Sequence, residues 1–220
     1  NIQFEFPIPS ETDKRLTRVL EVLYLTFNEG FHSGNKNQLI RTDLCAEAMR
    51  LCQLLLKKQQ FRSGAVYALY ALMCFHAARL ESKTNSNNEI IDLEHQDRTK
   101  WHWPLIDLGN SALQKASSYH STSSYFYEAS IAFHHSNAKV YKDTDWDKIA
   151  FLYGKLHEVY PSDFILLNKA IALLQIKKHK EVIQLLESID PKNLEQKKHL
   201  YYAVYTDYFI ELGMKKEAKE

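Results

Sequence analysis

The sequence predicts an all-α protein built from antiparallel helical hairpins, with about nine or ten helices. Apolar residues recur at three- and four-residue steps over residues 16–27 and again over 44–55, which places each set along one face of a helix. The 220 residues include only 6 Gly and 5 Pro, fewer turn residues than β-sandwiches and barrels use. A hydrophobic fraction of 45% with 13 Tyr and 11 Phe supplies a large core and excludes a disordered chain.

The charge and the cysteine content exclude several classes of protein. The chain has 28 basic and 27 acidic residues and a formal net charge of +1, whereas a stand-alone nucleic-acid-binding domain usually has a clear basic excess. We therefore expect that the chain alone does not bind DNA. Its 3 Cys are too few for a disulfide scaffold, and we interpret them as reduced core residues of a cytoplasmic protein. No apolar run reaches the length of a membrane span, and no signal peptide is visible.

The first part of the chain predicts helices over residues 11–29, 37–58, 64–80 and 123–137. Ser10 and Asn37 are the predicted caps of the first two helices. Gly30 and Gly34, in the connection between those helices, are expected to adopt left-handed backbone conformations. The third helix is apolar on nearly every side, which predicts a central position with neighbours around it.

The segment that follows the third helix is less regular. Residues 81–88 are polar and predict a loop, and residues 89–93 favour a short extended or hairpin piece. Asp97 can cap a helix, but Pro104 removes a backbone hydrogen bond unless it lies in the first turn. Either one helix therefore kinks near Trp101, or a new helix begins at Pro104 and runs to about Ser117.

The last part of the chain predicts helices over residues 145–160, 164–176, 180–188 and 196–212, and it has a repetitive character. Thr144 begins a capping-box pattern for the first of these helices. Pro161 and Pro191 lie 30 residues apart, each just beyond a helix end, and residues 180–182 (KEV) recur as 216–218 (KEA). These spacings lie near the period of about 34 residues that is typical of tetratricopeptide (TPR) repeats. The Trp and Gly positions of that repeat are not met in this sequence. We therefore predict a curved, right-handed, TPR-like stack.

Candidate catalytic and metal-binding patterns are missing from the sequence. The 10 His do not occur in CxxC, HExxH or HxH arrangements, whereas a zinc site needs about four converging ligands at short fixed spacings. The sequence contains no GxSxG elbow for a serine nucleophile and no glycine-rich loop that could hold phosphate. We therefore predict no catalytic residue, no metal and no cofactor.

Three stretches that follow no repeat pattern point to a known family. They are LYLTFNEGF at residues 23–31, RTDLCAEAMRL at 41–51 and LEHQDRTKW at 93–101, supported by DTDW at 143–146 and LNKA at 167–170. Together they resemble the C-terminal extension of extracytoplasmic-function (ECF) sigma factors, in the group whose extension is TPR-like. The chain departs from the family pattern at Phe31, where Tyr is frequent, at His95, where an acid is common, and at Pro104.

The resemblance implies how the chain is organised. Residues 1–10 would be the linker from N-terminal sigma domains that precede Asn1, residues 11–140 a helical family-specific core, and residues 141–220 TPR-like repeats packed on that core in one continuous domain. Because the sequence starts with Asn rather than Met, we interpret it as a piece of a longer protein.

The resemblance also implies a regulatory role. The chain would tune transcription initiation by contacting its own N-terminal sigma domains and RNA polymerase, through the groove of the stack, while promoter DNA would be bound only by the missing domains. It would be neither an enzyme nor a membrane protein, and its oligomeric state is open. Two alternatives remain: a stand-alone TPR-like adaptor, or an enzyme or ligand-binding helical domain with a polar pocket near Glu29, Arg41 and Asp97.

The motifs supply ten candidate interface residues: Asn28, Glu29, Gly30, Arg41, Asp43, Asp97, Arg98, Trp101, Asp145 and Trp146. Several of them are charged residues at helix ends or on otherwise apolar helices, and burying such charges is costly unless they are paired. We therefore predict that Glu29 or Asp97 forms an ion pair with Arg41 or Arg98.

Overall fold

The computed structural model describes residues 9–33, 39–120 and 122–214, with the backbone alone at residues 9–11 and 196. The described residues form nine α-helices and no β-strand, which confirms the all-α prediction. The helices are α1 (Pro9–Phe31), α2 (Thr42–Lys57), α3 (Gly64–Ala77), α4 (Trp103–Ser118), α5 (Ser124–Asn137), α6 (Trp146–Val159), α7 (Asp163–Gln175), α8 (His179–Ser188) and α9 (Lys198–Glu211).

The described residues divide into two compact units, the first ending at Tyr141 and the second beginning at Lys142. The first unit contains α1 to α5, and the second contains α6 to α9. The predicted packing of one part on the other within a continuous domain stays a prediction.

In the first unit, α3 is the central helix, as its sequence predicts. It contacts α1, α2, α4 and α5. Most of its side chains are buried, including Leu69, Met73 and Phe75. A helix that is apolar on all sides can be stable in water only when neighbours cover it in this way. The surrounding core includes Phe27 and Phe31 of α1.

The first two helices begin at positions that differ from those predicted. Helix α1 already includes Pro9 and Ser10, so Ser10 is not its cap; a proline is readily accepted in the first turn. Helix α2 begins at Thr42 and not near Asn37, which lies outside the described residues, as do residues 1–8 and Gly34. The backbone N–H of Arg41 donates to the carbonyl of Gly30 at 2.7 Å, and this bond keeps the residue before Thr42 out of the helix.

The segment between α3 and α4, residues 78–102, crosses the end of the first unit. An antiparallel bridge joins Thr84 to Ile90, which confirms the predicted hairpin piece. Asp97 caps a short 3-10 turn, Arg98–Lys100. Helix α4 then starts afresh with Pro104 in its first turn, so the second of the two alternatives is confirmed. The N–H of His102 donates to the carbonyl of Ala78 at 2.8 Å and ties the segment back to the end of α3.

The second unit is a succession of helical hairpins in which α6 packs on α7, α7 on α8, and α9 on both α7 and α8. Asp145, and not Thr144, caps α6, since its side chain accepts the N–H of Lys148 at 3.0 Å. Thr144 is buried instead. Helix α9 begins at Lys198, two residues later than predicted, because Glu195 adopts a left-handed conformation that interrupts the helix. The repeated residues 216–218 lie outside the described part of the chain.

Candidate functional site

Gly30 lies inside α1, and the predicted left-handed conformation at this position is wrong. The residue is needed for a close approach between helices. A Cβ atom at Gly30 would lie 2.8 Å from the carbonyl oxygen of Arg41 and 2.8 Å from Sγ of Cys45. The Asn-Glu-Gly motif therefore positions the start of α2 against the end of α1.

The charged residues of the same motifs do not form the predicted lock. Arg41 Nη2 contacts the Asp43 carboxylate at 2.7 Å, and both side chains are well exposed. Hydrogen bonding to Arg41 lowers the pKa of Asp43. Glu29 is exposed and accepts a hydrogen bond from the Ser33 hydroxyl at 3.4 Å, while Asn28 is hydrogen-bonded to Tyr24. The prediction that Arg41 pairs with Glu29 or Asp97 is wrong. Its guanidinium pairs instead with Asp43, which lies two residues away in the first turn of α2.

Asp97 and Arg98 are adjacent in sequence but serve different elements. Asp97 accepts the N–H and the hydroxyl of Thr99 at 3.0 and 2.6 Å. Arg98 Nη1 donates to the carbonyls of His135 and Ala138 at 2.7 and 2.8 Å, so its partner is the C-terminal end of α5 and not a carboxylate. A cation is favourable there because the last carbonyls of a helix are the negative end of its dipole.

Trp101 anchors this segment in the core. Its ring is buried, and its indole N–H donates to the Ser82 hydroxyl at 2.8 Å. The guanidinium of Arg98 lies over the ring, 4.4 Å from its centroid. Trp101 therefore connects the segment before α4 to the residues that follow α3.

Helices α1, α3 and α5 end on the same side of the first unit. The ring of Phe31 near the end of α1 packs against His76 near the end of α3, with 4.9 Å between the ring centroids and a tilt of 41°. His76 also lines one cavity with His135 and Ser136 near the end of α5. Three cations gather at these helix ends, and we call Arg79, Lys83 and Arg98 the basic end. Lys83 is only 3% exposed. Its Nζ donates to the carbonyl of Phe31, the last residue of α1, and lies 3.5 Å from the centroid of the Phe31 ring.

Arg79 follows the end of α3, and its partners among the described residues are all neutral. Its guanidinium contacts the Gln96 side-chain oxygen at 3.4 Å and His76 Nδ1 at 3.3 Å. Burial, and then the charge of Arg98, lower its pKa to about 10. Burial, and then the charge of Arg79, likewise lower the pKa of Lys83 to about 7.

Two histidines beside the basic end are held neutral. Burial lowers the pKa of His76 well below its ordinary value and that of His135 to about 3, and the neighbouring charge of Arg79 lowers both further. A neutral imidazole accepts a hydrogen bond at one ring nitrogen and donates one from the other. His76 accepts from Arg79 at Nδ1.

Sequence reasoning missed Arg79 and Lys83. The one signal in the sequence was that two basic residues closely follow its most apolar stretch. Arg79 follows the most apolar helix of the chain, and Lys83 lies in a polar segment that predicts a loop. The carbonyl that Lys83 meets is 52 residues away, and the Gln96 side chain that Arg79 contacts is 17 residues away. Only the tertiary structure shows that these positions meet.

A third residue that the sequence did not indicate is Glu128 in α5. Its carboxylate accepts a hydrogen bond from the Tyr24 hydroxyl at 2.9 Å, and Tyr24 also packs on Tyr125, with 5.4 Å between the ring centroids. Burial raises the pKa of Glu128 to about 7, although the bond from Tyr24 opposes that shift. Glu128 therefore titrates near neutral pH between α1 and α5.

The second unit offers a groove between α6, α7 and α8 with a volume of about 370 Å³. Phe151 lines it and is 60% exposed. Ion pairs flank this ring: Lys155 with Glu158 at 2.9 Å, and Lys178 with Asp147 at 3.4 Å. Among the predicted site residues, Asp145 and Trp146 begin α6, where Asp145 is the cap and the Trp146 side chain is half-buried.

Two features are missing from the described part of the chain. Those residues contain no group of three or more His, Cys, Asp or Glu side chains that could hold a metal ion. The helices in the same ranges do not combine the length and the apolar character that crossing a membrane requires.

Comparison with known proteins gives two similarities. Residues 15–117 match a family described as a family of unknown function (DUF6596). An uncharacterized protein of Rhizobium meliloti (strain 1021) is 31% identical over 201 residues, which cover 91% of this chain and 47% of that protein. The chain thus spans about half the length of the curated relative that it matches. No solved structure matches. The family match extends from α1 to α4 and includes Arg79, Lys83 and Arg98.

Proposed function

We propose that this chain is a regulatory protein-interaction domain of a bacterial ECF sigma factor, which tunes transcription initiation by contacting the sigma domains or RNA polymerase. The motifs at residues 23–31, 41–51 and 93–101 support this proposal. So does the match to a family that is associated in some proteins with C-terminal regions of the sigma-70 family. The relative from Rhizobium meliloti is about twice as long as the matched region, as expected for a domain that is one part of a longer protein.

The groove of the second unit is the observation that carries the proposal. An exposed aromatic ring in a concave surface, with charged side chains around it, is the usual composition of a protein-interaction hot spot and its rim. Stacked helical hairpins present concave surfaces of this kind to their partners. Phe151 would be the anchor, and the pairs Lys155–Glu158 and Lys178–Asp147 would form the polar rim.

A catalytic centre built on Glu29, Arg41 and Asp97 has less support. Arg41 is paired with Asp43, and Asp97 caps a 3-10 turn. In the proposed function, the protein acts in the cytoplasm by binding alone, and promoter DNA is contacted by the sigma domains.

A crosslinking experiment on the natural full-length protein tests the proposal. A photoreactive phenylalanine analogue replaces Phe151 in one variant and Tyr202 in another, and each variant is irradiated with purified RNA polymerase core enzyme. Tyr202 is the matched control, because it is an exposed aromatic residue of the same unit (58% exposed) that lies outside the groove. We expect crosslinks from position 151, and not from position 202, to the sigma domains or to a polymerase subunit.

Transcription provides the second arm of this test. Phe151→Ala should reduce transcription from the cognate promoter several-fold without lowering Tm, whereas Tyr202→Ala should not affect transcription. A natural protein without sigma domains, or unchanged transcription together with no crosslink from position 151, would contradict the proposal.

A further inference from the structure

A small cavity of about 30 Å³ lies beside the basic end of the first unit. Its lining comes from the ends of α3 and α5 and from the segment before α4, and it includes Arg79, His76, Trp101 and Ser136. A cavity of this size has room for a single species about as large as a water molecule. Arg79, His76, His135 and Ser136 contribute the polar atoms of this lining, and the rest of it is apolar, from Leu93, Trp101 and Ala132.

The basic end has no acidic partner among the contacts that the described residues make. Arg79 contacts the Gln96 side chain and His76, Arg98 contacts two backbone carbonyls, and Lys83 contacts the carbonyl of Phe31 and His32. All of these acceptors are formally neutral. Buried cations are normally paired with carboxylates, because an uncompensated charge is costly to remove from water.

The helix ends compensate part of this charge. The C-terminal ends of α1, α3 and α5 each carry the equivalent of about half a negative charge. Arg79 and Arg98 contribute two full positive charges, and Lys83 contributes about half a charge at neutral pH because its pKa is about 7. The formal sum leaves about one positive charge, part of which water screens because Arg98 is half-buried.

Hydrogen-bond donors that lack an acceptor also favour an anion at this position. Arg98 does not line the cavity, but it lies over Trp101, which does, and its Nη2 is buried without a hydrogen-bond partner within the described ranges. Within the described residues Arg79 makes two hydrogen-bond contacts, both longer than 3.2 Å, and lies over the Phe31 ring, although a guanidinium has five N–H donors. His76 Nδ1 faces Arg79, so the proton of this neutral ring lies on Nε2, which is then a further donor.

We propose that the cavity beside Arg79 binds one small monovalent inorganic anion, of the size of chloride. Arg79 and the N–H of His76 donate to it, and the nearby charge of Arg98 adds to its attraction. A chloride ion is close to a water molecule in volume, so it fits the size of the cavity. Because it is spherical, it accepts hydrogen bonds from any direction and can be bound by the donors of Arg79 and His76. Bound there, the anion fixes the segment 78–102 across the ends of α1, α3 and α5.

Thermal unfolding of the whole chain in sodium chloride and in sodium gluconate, at matched ionic strength, tests this site. Gluconate is too large for the cavity, and matched ionic strength removes general screening. Binding to the folded state alone should raise Tm with the logarithm of the chloride concentration above Kd, reaching about 5 °C at a concentration well above Kd. Arg79→Gln should abolish the difference between the two salts. Arg50→Gln should keep it, because Arg50 is an exposed residue paired with Glu47.

Bromide supplies a direct measurement that needs no variant. Crystals of the unmodified protein soaked in sodium bromide should show an anomalous peak within hydrogen-bond distance of Arg79. The absence of that peak, bromide at surface lysines only, or equal Tm values in chloride and gluconate would overturn the proposal. Because none of these measurements involves RNA polymerase, their outcome is independent of the function proposed for the groove.

Discussion

A methyl group at Gly30 would lie 2.8 Å from the carbonyl oxygen of Arg41 and 2.9 Å from the backbone nitrogen of Cys45. Both are backbone atoms, so a side-chain rotation cannot relieve the clash. Gly30→Ala should therefore force α2 away from α1 and reduce the free energy of unfolding by about 2 kcal/mol, in the range of other overpacked sites. Urea unfolding followed by circular dichroism measures this loss.

Gly154→Ala is the matched control for that substitution. Gly154 lies in α6, and a Cβ atom there would meet only the Lys169 side chain, at 3.5 Å or more. The change should leave the protein as stable or add about 0.5–1 kcal/mol, because alanine favours a helix over glycine. Equal changes in the free energy of unfolding at the two positions would show that the close approach of α2 is not what requires glycine at position 30.

Glu128 predicts a pH dependence at the residue scale. Its pKa rises from 4.5 to about 7 in the folded protein, so the folded state holds this proton more tightly than the unfolded state does. The resulting stabilisation is complete at low pH and is lost as the pH rises from about 4.5 to about 7. Glu128→Gln, which mimics the protonated side chain, should remove that loss and stabilise the protein at pH 7.5 by about 2 kcal/mol, with allowance for partial exposure.

The test of this prediction is a comparison of variants across pH. Burial also lowers the pKa values of His76 and His135, and these histidines favour the folded state increasingly as the pH rises. The measured quantity is therefore the difference in unfolding free energy between Glu128→Gln and the unmodified protein, which should grow from pH 4.5 to 7 and then stay constant. Glu158→Gln, at an exposed residue, is the control, and a pH-independent difference for Glu128→Gln would disprove the assignment.

At the scale of the element, the sequence predicts helices well where a local pattern determines them. The apolar period places α1 to α9, and Asp97 caps the turn expected of it. Boundaries that depend on tertiary contacts were missed. Helix α2 starts late because the N–H of Arg41 bonds to Gly30, and Asp145 rather than Thr144 caps α6, with Thr144 buried. A capping motif in the sequence does not show which of its residues will be covered by the rest of the protein.

The turn between α7 and α8 carries a conformational strain that can be removed. Lys177 has φ 56°, and its N–H and that of Lys178 bond to the carbonyls of Leu174 and Leu173, as in helix ends that usually place glycine at this position. Lys177→Gly should stabilise the protein by about 0.5 kcal/mol, because glycine adopts this backbone conformation without steric cost. Lys180→Gly, within α8, should instead be destabilising, and chemical denaturation of both variants compares them.

At the scale of the whole molecule, the near balance of charge conceals an uneven distribution. The formal net charge is only +1, yet Arg79, Lys83 and Arg98 gather without an acidic partner in the contacts of the described residues. The net charge of the sequence could not reveal this, since it records totals and not positions. Of the motif residues, Arg98 belongs to the basic end and Trp101 adjoins it, whereas the ion pairs predicted for Glu29, Arg41 and Asp97 required side chains that do not meet.

The bonds from Lys83 to the end of α1 and from Arg98 to the end of α5 also link the local stabilities of distant parts of the chain. When the segment 78–102 detaches, the last carbonyls of both helices lose their cationic partners, and each terminal turn loses the interactions that oppose fraying. Detachment of this segment and fraying of the two helix ends are therefore one cooperative opening event with a shared free energy. Residues that are more than fifty positions apart in sequence thus become exposed to solvent together, and with them the part of the core that Trp101 covers.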